Sequence, residues 1–283
     1  MELQQNLAGL KKQQLGLAAI SYDSQAVLSN FAERKNITFP LLSDPGSKTI
    51  RAYGILNEGV PANTPKPLEG RFVPGGEWYG VPIPGTFMLD KNGVVVAKYF
   101  EDDYRERYTA SEILVRQFGT DSGMPRTVSE TKHLTLSTFA SLTSVKWGQR
   151  VALVADVNLK PHMHVYAPGI QGYIPIDFAL DESPAIKVHP AAFPTSKKLH
   201  LKAINETVPV YQGQFRIVRD VNIGTDPQVK PQLNDKGELV VHGSLRYQAC
   251  DDRECYIPQT VPLTWTLKYE ALDVQRVPKD LQR

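Results

Sequence analysis

Leu239-Val-Val-His-Gly-Ser-Leu-Arg-Tyr-Gln248 runs into Ala249-Cys250-Asp-Asp-Arg-Glu-Cys255-Tyr-Ile-Pro258, and Leu263-Thr-Trp-Thr-Leu-Lys-Tyr269 follows. In the last segment Leu263, Trp265, Leu267 and Tyr269 alternate with Thr264, Thr266 and Lys268, the period-two pattern of a strand with one buried face. The stretch therefore reads as two strands joined by a short connection that carries both cysteines of the 283-residue chain. A short connection between antiparallel strands can hold two Cα atoms at disulfide distance. Cys250 and Cys255 can thus close a small loop, and such a loop can be reduced and reoxidised.

The same period extends upstream. Val151, Leu153, Ala155, Val157 and Leu159 alternate with Ala152, Val154, Asp156 and Asn158, and Phe215, Ile217, Val221 and Ile223 share one face. Strands of this kind with turn signals between them predict an antiparallel β-sandwich of about 150 residues. Gly119-Thr-Asp-Ser-Gly-Met-Pro125 has the composition of a linker.

Before the linker the pattern is mixed α and β. Leu3, Leu7 and Leu10 mark one helical face, and Leu15–Ile20 reads as a buried strand without polar alternation. Asp23 or Ser24 caps a helix that buries Val27, Leu28 and Phe31. Phe39–Leu42 is a short strand. Ser43-Asp-Pro45 opens a third helix, which Gly54 closes. Residues 55–82 form a Pro- and Gly-rich loop. Asp90-Lys-Asn-Gly93 joins strands Thr86–Asp90 and Val94–Phe100 as a hairpin. A last helix is expected from about Asp102 to Phe118, with Glu101, Asp102 and Asp103 as its solvated start.

Bulk properties exclude several classes. The net charge is +2, from 32 basic and 30 acidic residues, so no single-sign field suggests nucleic-acid binding. No apolar run approaches the ~18 residues of a membrane span. Met1-Glu-Leu-Gln-Gln opens into an amphipathic pattern and lacks the basic and apolar regions of a signal peptide. No Ser-His-Asp signature, P-loop or dinucleotide fingerprint is present.

Ala18-Ala-Ile-Ser-Tyr-Asp23, Ile37-Thr-Phe-Pro-Leu-Leu-Ser-Asp-Pro-Gly46 and Ile83-Pro-Gly-Thr-Phe-Met-Leu-Asp90 resemble the peroxiredoxin-like AhpC/TSA family of thioredoxin-fold proteins. The resemblance covers about residues 1–118. It implies a cis proline beside the active-site thiol, for which Pro84 is the matching substrate-docking candidate. In the family the catalytic cysteine precedes the helix with which this chain opens. Residues 1–249 contain no cysteine, and the family chemistry needs a thiolate at a helix N-terminus. Peroxidase activity is therefore not expected of this chain. Truncation of a longer protein, with the catalytic cysteine and an export signal upstream, is the favoured explanation.

Leu159-Lys-Pro-His-Met-His-Val-Tyr-Ala-Pro168, Gly172-Tyr-Ile-Pro-Ile-Asp177 and the cysteine stretch resemble the N-terminal periplasmic domain of the DsbD family, an immunoglobulin-like sandwich. That resemblance implies that Cys250 and Cys255 are a redox pair that passes electrons by disulfide exchange. It also implies thioredoxin-like or DsbD-type partners and a periplasmic or exported location. In the family a phenylalanine caps the disulfide. Here the matching segment, Glu206-Thr-Val-Pro-Val-Tyr-Gln-Gly213, leaves Val210 or Tyr211 to do so. Asp251, Asp252 and Glu254 surround the pair with Arg253 as the opposing charge, so its thiols should be weak attackers while the disulfide stays open to attack.

The expected fold is thus two domains: a thioredoxin-like α/β fold truncated at its N-terminus (1–118), a linker (119–130), an all-β immunoglobulin-like sandwich (131–272) and a tail (273–283). The linker is long enough for the domains to meet at high effective concentration. No cofactor and no metal site are expected. Cys-x4-Cys supplies two zinc ligands without a second pair of matching spacing, and His162-Met-His164 is explained as part of the sandwich rather than a copper site. The competing reading is a non-catalytic binding scaffold in which the same disulfide is a structural staple.

Overall fold

The computed structural model describes residues 2–60, 79–101, 103, 105–120, 123–201, 205–273, 275 and 278–281. Most of the Pro- and Gly-rich loop (61–78), and Asp102 at the expected helix start, lie outside the described residues. The chain divides into two units, Met1–Ala110 with Asp273–Arg283, and Ser111–Leu272.

The first unit contains α1 (Glu2–Gln5), α2 (Leu7–Lys12), β1 (Ala19–Ser21), α3 (Gln25–Lys35), β2 (Leu41–Ser43), α4 (Lys48–Ala52), β3 (Thr86–Leu89) and β4 (Val95–Tyr99). The first helix is split at Asn6, whose side chain donates back to the Glu2 carbonyl and competes with the helical ladder. Ser24 caps α3 by accepting from the Val27 N–H, and Asn36 in the left-handed region ends it. The Asp44 carboxylate accepts from the Thr49 and Ile50 N–H groups, so α4 starts after Ser47 and not at Pro45. Asp90 Oδ1 accepts from the Asn92 and Val94 N–H groups and closes the β3–β4 hairpin.

Two expectations are corrected here. The strand read over Leu15–Ile20 begins only at Ala19 and is not buried: Ile20 and Leu42, opposite each other across the parallel β1–β2 pair, are 43% and 47% exposed. A parallel strand is buried when both faces are covered. Among the described residues this sheet has two strands, with α3 packed against β2. Second, the Ile83–Pro84 bond is trans, as are all peptide bonds among the described residues. Pro82 bridges Leu56, and Ile83 donates its N–H to the Ile55 carbonyl. The segment therefore enters β3 already extended, in the isomer that X–Pro bonds favour intrinsically. Gly85 follows because the Phe100 ring occupies its side-chain space: a Cβ there would lie 1.8 Å from a ring carbon.

The second unit opens with α5 (Ala110–Phe118), later than the expected start near Asp102. Asp103 Oδ1 accepts the Arg105 N–H, a local turn that competes with helix at that point. Then come β5 (Thr127–Glu130), β6 (Leu134–Ala140), β7 (Ser144–Val145), β8 (Arg150–Leu159), β9 (His164–Tyr166), β10 (Asp177–Leu180), β11 (Ile186–Ala192), β12 (Lys197–Leu201), β13 (Glu206–Gln212), β14 (Gln214–Ile223), α6 (Asp226–Val229), β15 (Glu238–Tyr247), β16 (Ala249–Cys250) and β17 (Gln259–Tyr269).

Two sheets, ordered β11-β14-β8-β6-β5 and β10-β15-β17-β7, enclose the main core. Val151, Leu153, Ala155 and Val157 of β8 meet Leu245, Leu263, Trp265 and Leu267 of β15 and β17 in one apolar cluster. The alternate residues Ala152 and Val154 pack on the other face with Val115 of α5, Phe139 and Val218. Asp220, fully buried, fixes this face by pairing with Arg116 of α5 and with Arg150. The third sheet, β12-β13-β9-β16, carries the cysteine loop.

Candidate redox site

Two strands change sheets to build the site. β14 and β13 are one run of chain bent at Gly213, whose φ of +65° lies in the region that favours glycine. β15 leaves its sheet after Tyr247, and the next residues, Ala249 and Cys250, pair instead with Val165 and His164 of β9. Tyr247 anchors the departure point: its buried hydroxyl donates to Gln259 Oε1 (2.6 Å) and lies 2.8 Å from Thr131 Oγ1.

Cys250 and Cys255 form a disulfide with Cα atoms 4.0 Å apart. Asp251 holds the turn between them. Its Oδ1 accepts from the N–H groups of Arg253 (2.8 Å) and Glu254 (2.9 Å), and its Oδ2 accepts from the Tyr256 hydroxyl (2.7 Å). These donors, the Glu254 N–H first, hold the Asp251 carboxyl down at about 2. Tyr256 stacks on the buried His133 with ring centroids 4.6 Å apart, which ties the loop to the main core.

The two sulfurs differ in access. Cys250 is 1% exposed, whereas Cys255 is exposed, and Ile257 beside it is 86% exposed. Cys250 lies in an apolar cluster with Tyr166, Val208 and Val210, flanked by Ile170 and Tyr173. The Tyr166 hydroxyl lies 3.6 Å from Cys255 Sγ and 3.7 Å from Cys250 Sγ. Neither sulfur of a disulfide carries hydrogen, so the hydroxyl is the donor. Burial, aided by the charge of Glu206, pushes the Tyr166 phenol up and keeps that proton in place. The Tyr173 ring meets that of Tyr166 at a 37° tilt with centroids 4.3 Å apart, and its hydroxyl donates to Glu206 at 2.6 Å, a bond that raises its own phenol to about 12.

The segment read as a cap, Glu206–Gly213, is strand β13 and not a loop over the disulfide. Val210 joins the cluster around Cys250, while Tyr211 turns to the main core, stacks on Phe215 and donates to the Pro194 carbonyl. Sequence reading passed over Tyr166 and placed His164 in the sandwich. The available signal was their spacing of two, which puts both on the strand face that Cys250 shares. Pro84 belongs to the first unit. No group of three or more potential metal ligands occurs among the described residues, and His162-Met-His164 contributes to none.

Residues 1–98 match the AhpC/TSA family, and residues 136–264 match the family described as thiol:disulfide interchange protein DsbD, N-terminal. The chain thus carries a thioredoxin-like AhpC/TSA domain at its N-terminus followed by a DsbD N-terminal domain. Relatives named provisionally as peroxiredoxins, from Mycobacterium tuberculosis strains CDC 1551 / Oshkosh and ATCC 25618 / H37Rv, are each 32% identical over 99 residues, 35% of this chain. The chain spans about half the length of these curated relatives, 55%. Among solved structures, the N-terminal periplasmic domain of ScsB from Proteus mirabilis is 14% identical, with a TM-score of 0.33 over 52% of this chain and 50% of that one. The reduced DsbD N-terminal domain of Neisseria meningitidis is 12% identical, with a TM-score of 0.29 over 41% of this chain and 78% of that one. No described helix is long and apolar enough to cross a membrane.

Proposed function

We propose that this chain is a thiol–disulfide exchange protein whose redox couple is Cys250–Cys255, and that partners engage it through Cys255. The observation that carries this reading is the unequal exposure of the two cysteines, Cys255 exposed and Cys250 buried. A partner thiolate reaches Cys255 Sγ from solvent, a new S–S bond forms there, and the electron pair of the broken bond leaves on Cys250 Sγ. The Tyr166 hydroxyl, within 3.7 Å of that sulfur, donates to it as it gains charge. The match to a DsbD N-terminal domain supports the same chemistry.

The partners fitting this reading are thioredoxin-like or DsbD-type dithiol proteins. The compartment is periplasmic or otherwise exported, since disulfides persist in oxidising surroundings. The sandwich is read as immunoglobulin-like, over residues 131–272, and the preceding domain over 1–118. That preceding domain contributes no thiol. The docking role considered for Pro84 assumed a cis bond that this chain does not have, and the exchange reading does not use it.

A titration in glutathione buffers, with free thiols trapped and counted by mass, tests the proposal. A two-electron transition at roughly −120 to −270 mV is the expected result. A disulfide that stays closed well below about −300 mV would make the pair a structural staple and the chain a binding scaffold.

A further inference from the structure

Breaking the disulfide by attack at Cys255 leaves charge on a sulfur that is almost wholly buried. A buried thiolate without a proton or a strong donor is costly, and the loop around it is acidic. The Tyr166 hydroxyl can donate to that sulfur, but it cannot take up the thiol's proton, so closing the disulfide calls for a separate acceptor.

His164 occupies the matching position. It stands directly opposite Cys250 in the β9–β16 pairing. Opposed residues of an antiparallel pair share a face, with Cβ atoms roughly 4.5–5.5 Å apart. Tyr166, two residues on, is on that face too, and its ring meets the His164 ring edge-on at 5.7 Å. His164 is 2% exposed, and its Nε2 has no hydrogen-bond partner among the described residues. A buried polar atom without a partner needs a reason. A role toward Cys250, the residue it faces across the strand pair, supplies one.

We propose that His164 is the proton-transfer residue of Cys250: Nε2 accepts the Cys250 thiol proton when that sulfur attacks a mixed disulfide at Cys255, and returns it when the sulfur leaves. This rests on the exchange reading above. In the closing direction Cys250 Sγ bonds to Cys255 Sγ, the Cys255–partner bond breaks, and the partner departs as a thiolate. The proton of Cys250 passes to Nε2 and from there to solvent. In the opening direction the imidazolium protonates the departing Cys250 sulfur and is refilled from solvent. The partner dithiol supplies both electrons.

The surroundings suit a base that rests neutral. Burial pushes the His164 imidazole down, against the opposing pull of Asp252 and Asp251. Among the described residues, those two carboxyls of the cysteine loop act on its charge, Cys250 faces it from β16, and Tyr166 lies on its own strand. Its neighbour across β13 is Gln212, which carries no charge.

The test is the rate at which the reduced full-length chain closes its disulfide with oxidised glutathione, followed from about pH 5 to 9 in wild type, His164→Phe and His164→Gln. Wild type is expected to show a bend from the histidine ionisation. Both variants should close at least about tenfold more slowly at neutral pH and lose that bend, with the rate simply rising as the thiol ionises. A packing role would change stability and leave the pH profile intact. Folded variants with wild-type rates, within about twofold, and the same bend would overturn the proposal. If neither variant folds, the Nε2 chemical shift of His164 decides in wild type: its titration must move between the oxidised protein and protein reduced with a phosphine, and an unmoved titration overturns the proposal. A wild-type disulfide that no thiol opens would sink the exchange reading instead, a result the phosphine-reduced sample keeps separate.

Discussion

The Tyr166 hydroxyl lies within reach of both sulfurs, and its contribution can be removed without disturbing its packing. Tyr166→Phe keeps the ring against Tyr173 and deletes the hydroxyl that lies 3.6 and 3.7 Å from the sulfurs. A hydrogen bond of this type is worth about 0.5–1 kcal/mol, so reduction by dithiothreitol should slow about threefold, as read by the appearance of free thiol. The single-cysteine variants should separate more widely. Cys250→Ser leaves the exposed Cys255 thiol, which should react with a chromogenic disulfide at least tenfold faster than the buried thiol left by Cys255→Ser; equal rates would count against Cys255 as the point of entry. Both cysteines were legible in the sequence because spacing and a flanking strand announce them. Which sulfur is buried was not, since that depends on Ala249 and Cys250 leaving one sheet for another, and nothing in residues 247–250 signals a change of partner.

The cysteine turn and α5 each owe stability to a single carboxylate. Asp251 sits at about 2, below its ordinary 3.8, because two backbone N–H groups and the Tyr256 hydroxyl donate to its charged form. A depressed folded-state value means that its stabilisation is complete above about pH 4 and is lost as the pH falls through about 2. Asp251→Ala should therefore lower the urea midpoint at neutral pH and cease to differ from wild type near pH 2. The fully buried Asp220 holds Arg116 of α5 and Arg150 together. Asp220→Ala removes the buried carboxylate that both guanidinium groups share and is expected to cost about 3 kcal/mol in urea unfolding at unchanged slope. The strand alternation of β8 and β17 was plain from sequence. The lining of β8 on its second face by α5 was not named, although the unbroken apolar run Val151–Ala155 pointed to burial on both faces, because nothing in the run says which element covers the second face.

At the scale of the whole molecule, residues 1–249 lack a cysteine, so peroxide should meet only the Cys250–Cys255 thiols. Hydrogen peroxide added to the reduced chain is expected to consume two thiols per chain at the slow rate of ordinary thiols, with no catalytic burst; a fast phase in a thiol-trapping time course would contradict this. The two-domain pattern was legible because period two replaces mixed periodicity near residue 119. The cis geometry expected at Pro84 was drawn from resemblance, whereas the bond is trans.

A loop with one buried and one exposed sulfur has a kinetic consequence. Under the proposed exchange through Cys255, donor and acceptor would occupy the same sulfur in turn, so neither could join while the other is attached. Turnover then follows a ping-pong scheme, with parallel double-reciprocal lines, and an excess of either partner slows the other by occupying the shared entrance.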